Sequence, residues 1–151
     1  MKRLFIYYSL TGNGDMIGEY LKDEGVELRK IITKEELPKN FVLRIMSGGY
    51  KAMILYKDKL DSFNSDISDY DEVIIGSPIW NGRLSSPINT VLDKLKLDDK
   101  KVTFILYSGS GKSKGATKRI KREYPSAKII DIKNPLNNKE DMVNKLKNCG
   151  Y

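Results

Sequence analysis

Hydrophobic positions along this chain follow two different periods. Continuous apolar runs occur at Leu4-Phe5-Ile6-Tyr7-Tyr8, Val73-Ile74-Ile75 and Val102-Thr103-Phe104-Ile105-Leu106-Tyr107, each rich in β-branched or aromatic residues and each ending at Ser, Gly or Pro. Such runs suit strands covered on both faces, as in a parallel sheet. Lys128-Ile129-Ile130-Asp131-Ile132 predicts a further strand, and the half-polar stretch 26–32 an edge strand. Between the runs the spacing turns helical. Met16, Ile17, Tyr20 and Leu21 share one face, Ile88, Val91, Leu92 and Leu95 another, and Met142, Val143 and Leu146 a third. The stretch 41–60 also predicts a helix, although Gly48 and Gly49 work against it, each costing about 1 kcal/mol relative to alanine in a helix interior.

Strands that alternate with helices across short connections predict a three-layer α/β/α sandwich around a five-stranded parallel sheet. No internal repeat or long linker divides the sequence, so residues 1–151 are expected to form one domain. Ligands of such sheets bind beyond the carboxyl ends of the strands, where the strand order reverses. The loops after the first, third and fourth core strands are therefore the places to inspect.

Composition narrows the chemistry. The chain has no histidine, which removes Ser-His-Asp and Cys-His catalysis, histidine general bases and histidine-ligated zinc. Cys149 is the single cysteine, so neither an internal disulfide nor a thiolate metal site can form, and a reducing, cytoplasmic location is expected. No apolar stretch approaches the roughly 20 residues that span a bilayer, and Met1–Tyr8 lacks the form of a signal peptide, so a soluble, unprocessed chain is expected. No catalytic side chain and no metal ligand stands out.

The first loop is Ser9, Leu10, Thr11, Gly12, Asn13, Gly14, directly before a helical face. Hydroxyls, glycines and backbone amides at a helix N-terminus can cradle a phosphate without a cationic side chain, and an ordinary capped turn explains the same composition equally well. Two familiar phosphate motifs fail on spacing: the dinucleotide fingerprint needs glycine where Ile17 stands, and a P-loop ending at Gly111-Lys112-Ser113 would need its first glycine at Leu106. A phosphorylated receiver domain would need acidic residues at the strand ends occupied by Tyr8-Ser9 and Gly76-Ser77. The second loop, Pro78, Ile79, Trp80, Asn81, Gly82, carries the only tryptophan of the chain, a platform for a flat aromatic ligand or a cover folded back on the core. The third, Ser108, Gly109, Ser110, Gly111, offers small residues whose amides could meet a ligand edge.

Ile6 to Asn13, Tyr70 to Trp80 and Val102 to Gly111, with the order of elements, give the sequence a resemblance to the flavodoxin-like family over nearly its whole length. The resemblance implies a sheet of order 2-1-3-4-5 that binds FMN noncovalently. It implies that Ser9 to Gly14 hold the phosphate, while Pro78 to Gly82 and Ser108 to Gly111 bracket the isoalloxazine ring. A backbone rearrangement at Asn81-Gly82 would follow the redox state, since glycine tolerates both conformations. Two departures appear. The family usually has threonine where this chain has Gly14, and no second aromatic partner to Trp80 is evident in the third loop, Tyr107 lying just before it. An open ring face would admit organic donors and acceptors.

The charge is unevenly placed. Up to residue 75 there are 11 basic and 13 acidic residues, and beyond it 16 and 7, with the densest basic stretch at Lys112, Lys114, Lys118, Arg119, Lys121 and Arg122. Familiar electron-transferring flavodoxins are acidic, so the implied partner here is an acidic redox protein or an anionic NAD(P)H donor, with solvation of a helix face as the plain alternative. Nucleic acid is disfavoured because only Tyr124 accompanies the basic residues. Three functions follow as expectations: an FMN electron carrier, a small FMN-dependent NAD(P)H reductase acting on a quinone or similar acceptor, or a flavin-free interaction scaffold, as monomer or homodimer.

Overall fold

The apolar runs do form strands, and each strand sends alternate side chains into two separate helical layers. The computed structural model describes residues 1–34 and 57–151. Its strands are β1 (Arg3–Tyr7), β2 (Glu27–Lys30), β3 (Glu72–Trp80), β4 (Arg83–Leu84), β5 (Lys101–Ser108) and β6 (Lys128–Lys133). The helices are α1 (Asn13–Asp23), α2 (Ser86–Lys94), α3 (Lys114–Glu123) and α4 (Lys139–Asn148), with a single 3-10 turn at Pro135–Asn137 before α4.

The sheet runs β2-β1-β3-β5-β6, all parallel, which is the expected 2-1-3-4-5 order once the two-residue β4 is left out of the count. Leu4, Ile6, Val73, Ile75, Phe104 and Leu106 face α2 and α3, where Ile88, Val91, Ala116 and Ile120 cover them. Phe5, Tyr7, Ile74, Ile105 and Tyr107 face α1 and α4, where Ile17, Leu21, Met142 and Leu146 do the same. Each fully buried aliphatic or aromatic side chain of this kind contributes about 1.5–3 kcal/mol relative to exposure.

Two expectations are corrected. The third strand runs far past Ile75: residues 76–80 continue β3 and then turn back as a hairpin into β4, with Ile79 opposite Leu84 and Trp80 opposite Arg83. The helix predicted over 41–60 falls mostly outside the described residues, but its last part is not helical, and Leu60 pairs antiparallel with Thr33 as an isolated bridge. Leucine there serves a β contact, which a helical spacing of apolar residues cannot distinguish from a helix face.

The amino-terminal edge of the sheet is closed by a buried polar cluster. Glu72, fully buried at the start of β3, accepts hydrogen bonds from the hydroxyls of Thr103 (3.1 Å) and Tyr151 (2.6 Å). Its other oxygen lies 3.3 Å from Arg3 Nε and 3.5 Å from Lys101 Nζ. Tyr151 is itself buried, with Arg3 over its ring at 5.3 Å. No helix among the described residues is long and apolar enough to cross a membrane.

Candidate functional site

Parallel pairing places the ends of β1, β3 and β5 side by side, with Tyr7 beside Gly76 and Pro78 beside Tyr107. The three predicted loops consequently leave the sheet together. The first passes through Gly12, whose φ of 95° is left-handed, before entering α1. That conformation suits glycine because no Cβ opposes it. It brings the loop's amides to the positive end of the helix dipole. Among the described residues nothing accepts a hydrogen bond from the backbone amides of Leu10, Thr11, Gly12 or Asn13.

Side chains of this loop are used differently from the expectation that they face a phosphate. The oxygen of Ser9 accepts from the amides of Gly14 (3.2 Å) and Asp15 (3.3 Å), so it caps α1 and keeps only its own proton to donate. Asn13 accepts a bond from the amide of Leu136 (3.1 Å), fixing the segment after β6 against the loop. Sequence reasoning missed that fourth segment, whose signal is the turn-rich run Asn134-Pro135-Leu136-Asn137-Asn138. Thr11 is exposed, with the Asn13 amide group 3.5 Å from its hydroxyl.

Gly14 has a structural reason to lack a side chain. A Cβ there would lie 2.6 Å from the Tyr107 hydroxyl and 3.0 Å from Ser9 Cβ. Tyr107 is buried beneath α1 and donates its hydroxyl to the carbonyl of Tyr8. It therefore cannot serve as the second ring partner, and the same residue that is missing from the third loop accounts for the missing threonine in the first.

Below the loop, Asp15 meets Lys30 Nζ at 2.7 Å and accepts a bond from the Tyr7 hydroxyl at 3.2 Å. Burial opposes ionisation of Asp15, but hydrogen bonds from Lys30, Ser9 and Tyr7 and the Lys30 charge outweigh it and hold the carboxyl below its usual range. Burial first, then the Asp15 charge, pushes Tyr7 up to about 12. Lys30 is thus engaged with Asp15, and the first loop offers amides rather than a cationic side chain.

Trp80 ends β3, so the predicted second loop shrinks to Asn81 and Gly82. Both have positive φ, 51° and 72°, the pattern of the type I′ turn that matches strand twist in a two-residue hairpin. Trp80 is half-buried and meets Tyr8 edge-on, with ring centres 5.8 Å apart and planes at 90°. It packs partly on the core yet has no aromatic ring stacked on its face among the described residues. The hairpin base is pinned where buried Ser77 accepts the amide of Ser85 at 3.1 Å. Its turn is pinned where the amide of Ala116 donates to Gly82 O at 2.8 Å. Gly115 permits this approach, since its Cβ would sit 2.9 Å from that oxygen.

The third loop is stitched by its own serines: Ser108 accepts from the amide of Gly111 (2.8 Å) and Ser110 from that of Lys112 (3.3 Å). Gly109 and Ser110 are exposed, and no atom lies within 4 Å of a Cβ built on Gly109. The loops thus form a mouth with open amides on one side, an indole on another and a small-residue rim. A separate groove of about 410 Å³, bordered by Lys34, Lys59, Phe63 and Lys94 among others, includes none of the predicted site residues. Among the described residues no group of three His, Cys, Asp or Glu side chains could hold a metal.

Comparison with known proteins places this geometry. Residues 55–149 match the family model described as Flavodoxin. A candidate flavoprotein from Bacteroides eggerthii DSM 20697 superposes with a TM-score of 0.71 at 22% identity, covering 96% of this chain and 98% of that one. A flavoprotein from Lactobacillus acidophilus NCFM, solved in complex with FMN, gives 0.69 at 21% identity over 94% and 98%. Oxidised Flavodoxin 1 from Bacillus cereus gives 0.52 at 17% identity over 97% and 93%. These structures share the fold. No curated protein matches the chain.

Proposed function

We propose, from a chain that belongs to the flavodoxin family, that it binds FMN in the mouth at the strand ends and carries electrons between redox partners. The observation that carries this reading is the run of four amides, Leu10 to Asn13, at the positive end of α1, which have no acceptor among the described residues. A buried or ligand-facing N–H without a partner is costly, and a phosphate dianion satisfies several at once. The remaining mouth fits the rest of the cofactor. Trp80 offers a ring surface, the Asn81–Gly82 turn brings backbone groups to one edge, and Gly109 and Ser110 border the other.

Bound there, FMN supplies one- and two-electron redox chemistry that no side chain of this protein provides. The protein's share is positioning. Ser9 and Asn13 set the loop whose amides would hold the phosphate, the indole of Trp80 would shield one face of the ring from water, and Ala116 fixes the turn that would lie beside it. Titration with FMN is expected to give a yellow complex with quenched flavin fluorescence. Trp80→Ala should partly restore that fluorescence and weaken binding roughly fivefold to tenfold, the worth of one aromatic contact. Absence of any association at micromolar protein would overturn the reading.

The burial of Tyr107 favours a second reading. With that ring committed to the core, no third-loop aromatic closes over the flavin, which leaves room for a nicotinamide or quinone. Anaerobic mixing with NADH or NADPH separates the two readings: rapid bleaching without a partner protein supports a reductase, and a stable yellow colour supports a carrier.

A further inference from the structure

The most unusual charge distribution on the described surface lies on α3. Lys114, Lys118 and Lys121 recur at the spacing of a single helix stripe, joined by Arg122 and by Lys112 just before the helix, and all five are exposed. The opposite side of α3 is its packed face, where Ala116 and Ile120 are buried. Arg119, grouped with the basic stretch from sequence, turns inward instead, to Asn89 (2.6 Å) and Glu123 (2.9 Å). Glu123, the single acid of α3, is taken up by Arg119 and Arg122. None of the carboxylates among the described residues pairs with Lys112, Lys114, Lys118 or Lys121.

The helix itself gains nothing from this arrangement. Cations near a helix N-terminus oppose the macrodipole, at about 0.3–1 kcal/mol per charge. Elsewhere acids offset the dipole: Asp15 lies in the first turn of α1, and Glu140 and Asp141 follow Lys139 in that of α4. Helix α2 has neither an acid nor a cation in its first turn, whereas α3 starts on Lys114, just after Lys112, with no acid in its first turn to offset them. Solubility would be served at least as well by carboxylates.

Placement gives the stripe a use. It begins at the mouth, because Gly115 touches the Gly82 turn and Ala116 is bonded to it, and it extends about 12 Å away along α3 at 1.5 Å per residue. The first turn is anchored from behind, Ser113 donating to Asp131 and lying 3.2 Å from Thr117. The charges are therefore held on a fixed support beside the place where a ring edge would be reached. A membrane surface fits poorly, since the exposed face lacks the apolar side chains that an interfacial helix inserts.

The geometry points to the α3 stripe as the docking surface for an acidic redox protein, which would place its own centre over the rim formed by Gly109, Ser110 and the Gly82 turn. This assignment rests on the FMN reading. Electrostatic steering of this kind raises association rates by roughly 10-fold to 1000-fold and fades as salt screens it.

The test uses the FMN-loaded protein with two probes of opposite charge, a reduced acidic plant-type ferredoxin as electron donor and a basic mitochondrial cytochrome c as acceptor, in stopped flow at low and high ionic strength. Reduction by ferredoxin should be fast at low salt and slow about tenfold in the triple variant Lys114→Glu, Lys118→Glu, Lys121→Glu. Cytochrome c should respond in the opposite direction. Reversing Lys139 and Lys147 on α4 should change neither rate. In parallel, amide shifts of the isotope-labelled protein, with and without FMN, should move on ferredoxin addition within residues 108–123. If FMN does not bind but those shifts appear, the flavin reading fails and the surface stands. If FMN binds and the triple variant leaves both rates and shifts unchanged, the docking assignment is overturned. It is equally overturned if the stripe binds a thymidine oligonucleotide while ignoring ferredoxin, which would make it a nucleic-acid surface.

Discussion

The two ends of the sheet treat polar groups in opposite ways. At the amino-terminal edge, one oxygen of the fully buried Glu72 accepts from Thr103 and Tyr151, and the other, without a hydrogen bond, faces the charges of Arg3 and Lys101. At the carboxyl edge, four consecutive amides have no partner among the described residues, the indole has no stacked neighbour among them, and the serines that could have turned outward brace the loops instead. A folded protein satisfies nearly all of its buried polar groups internally, so the end that is closed holds the fold together and the end that is open is shaped for something else.

If that division is right, changes at the closed end should alter stability and spare binding, and changes at the open end should do the reverse. The largest expected effect is Glu72→Ala, which leaves the charges of Arg3 and Lys101 without their acid and takes one acceptor from the Tyr151 hydroxyl, and should cost about 3 kcal/mol in urea unfolding while the affinity for FMN stays unchanged. A weaker FMN affinity would show that the ends are coupled. Thr11→Asp should do the opposite, setting a carboxylate against the phosphate and weakening FMN roughly 100-fold, with an unchanged unfolding midpoint.

Gly14→Thr probes the boundary between the two. The new side chain collides with the Tyr107 hydroxyl, so about 2 kcal/mol of stability should be lost by overpacking. Combined with Tyr107→Phe the loss should shrink, and a cycle of the two changes measured by thermal unfolding should show clear coupling. Additive losses would mean that the two residues do not compete for one space.

A smaller effect is expected at alkaline pH. Burial raises Tyr7 to about 12, and burial likewise raises Tyr107 and Tyr151. Each is therefore protonated more readily in the folded state than in the unfolded one. Their contribution is complete below about pH 10 and falls as pH rises from there through 12, since the unfolded chain loses its protons first. Urea midpoints between pH 9 and 12 should decline accordingly, and Tyr151→Phe should flatten part of the slope without touching FMN affinity.

The sequence carried the framework more readily than the cross-connections. Continuous apolar runs recovered the core strands and helical spacing recovered α1, α2 and α4, because burial on two sides, or on one face, writes directly into residue order. Asn81-Gly82 is a strong hairpin signal, but β4 has only Arg83 and Leu84, too short to show an alternation, so Trp80 was read as a loop residue when it ends a strand. Nothing local marks Glu72 as buried, because the partners that surround it come from three distant parts of the chain. The three loops were visible as candidates, whereas the inward turn of Ser9, the bracing by Asn13 and the exclusion between Gly14 and Tyr107 depend on neighbours that no local pattern reveals.

The bond from Ala116 to Gly82 O leaves the hairpin a single movable plate. With the plane that follows Gly82 held and Trp80 fixed by its pairing with Arg83, the peptide between Asn81 and Gly82 is the one in the turn with no partner among the described residues. It can be inverted about two torsions, one of them on a glycine, without disturbing the strands on either side. A change of backbone at this corner would therefore fall on that one peptide, and the helix that bears the cationic stripe is what holds the far side of the turn in place.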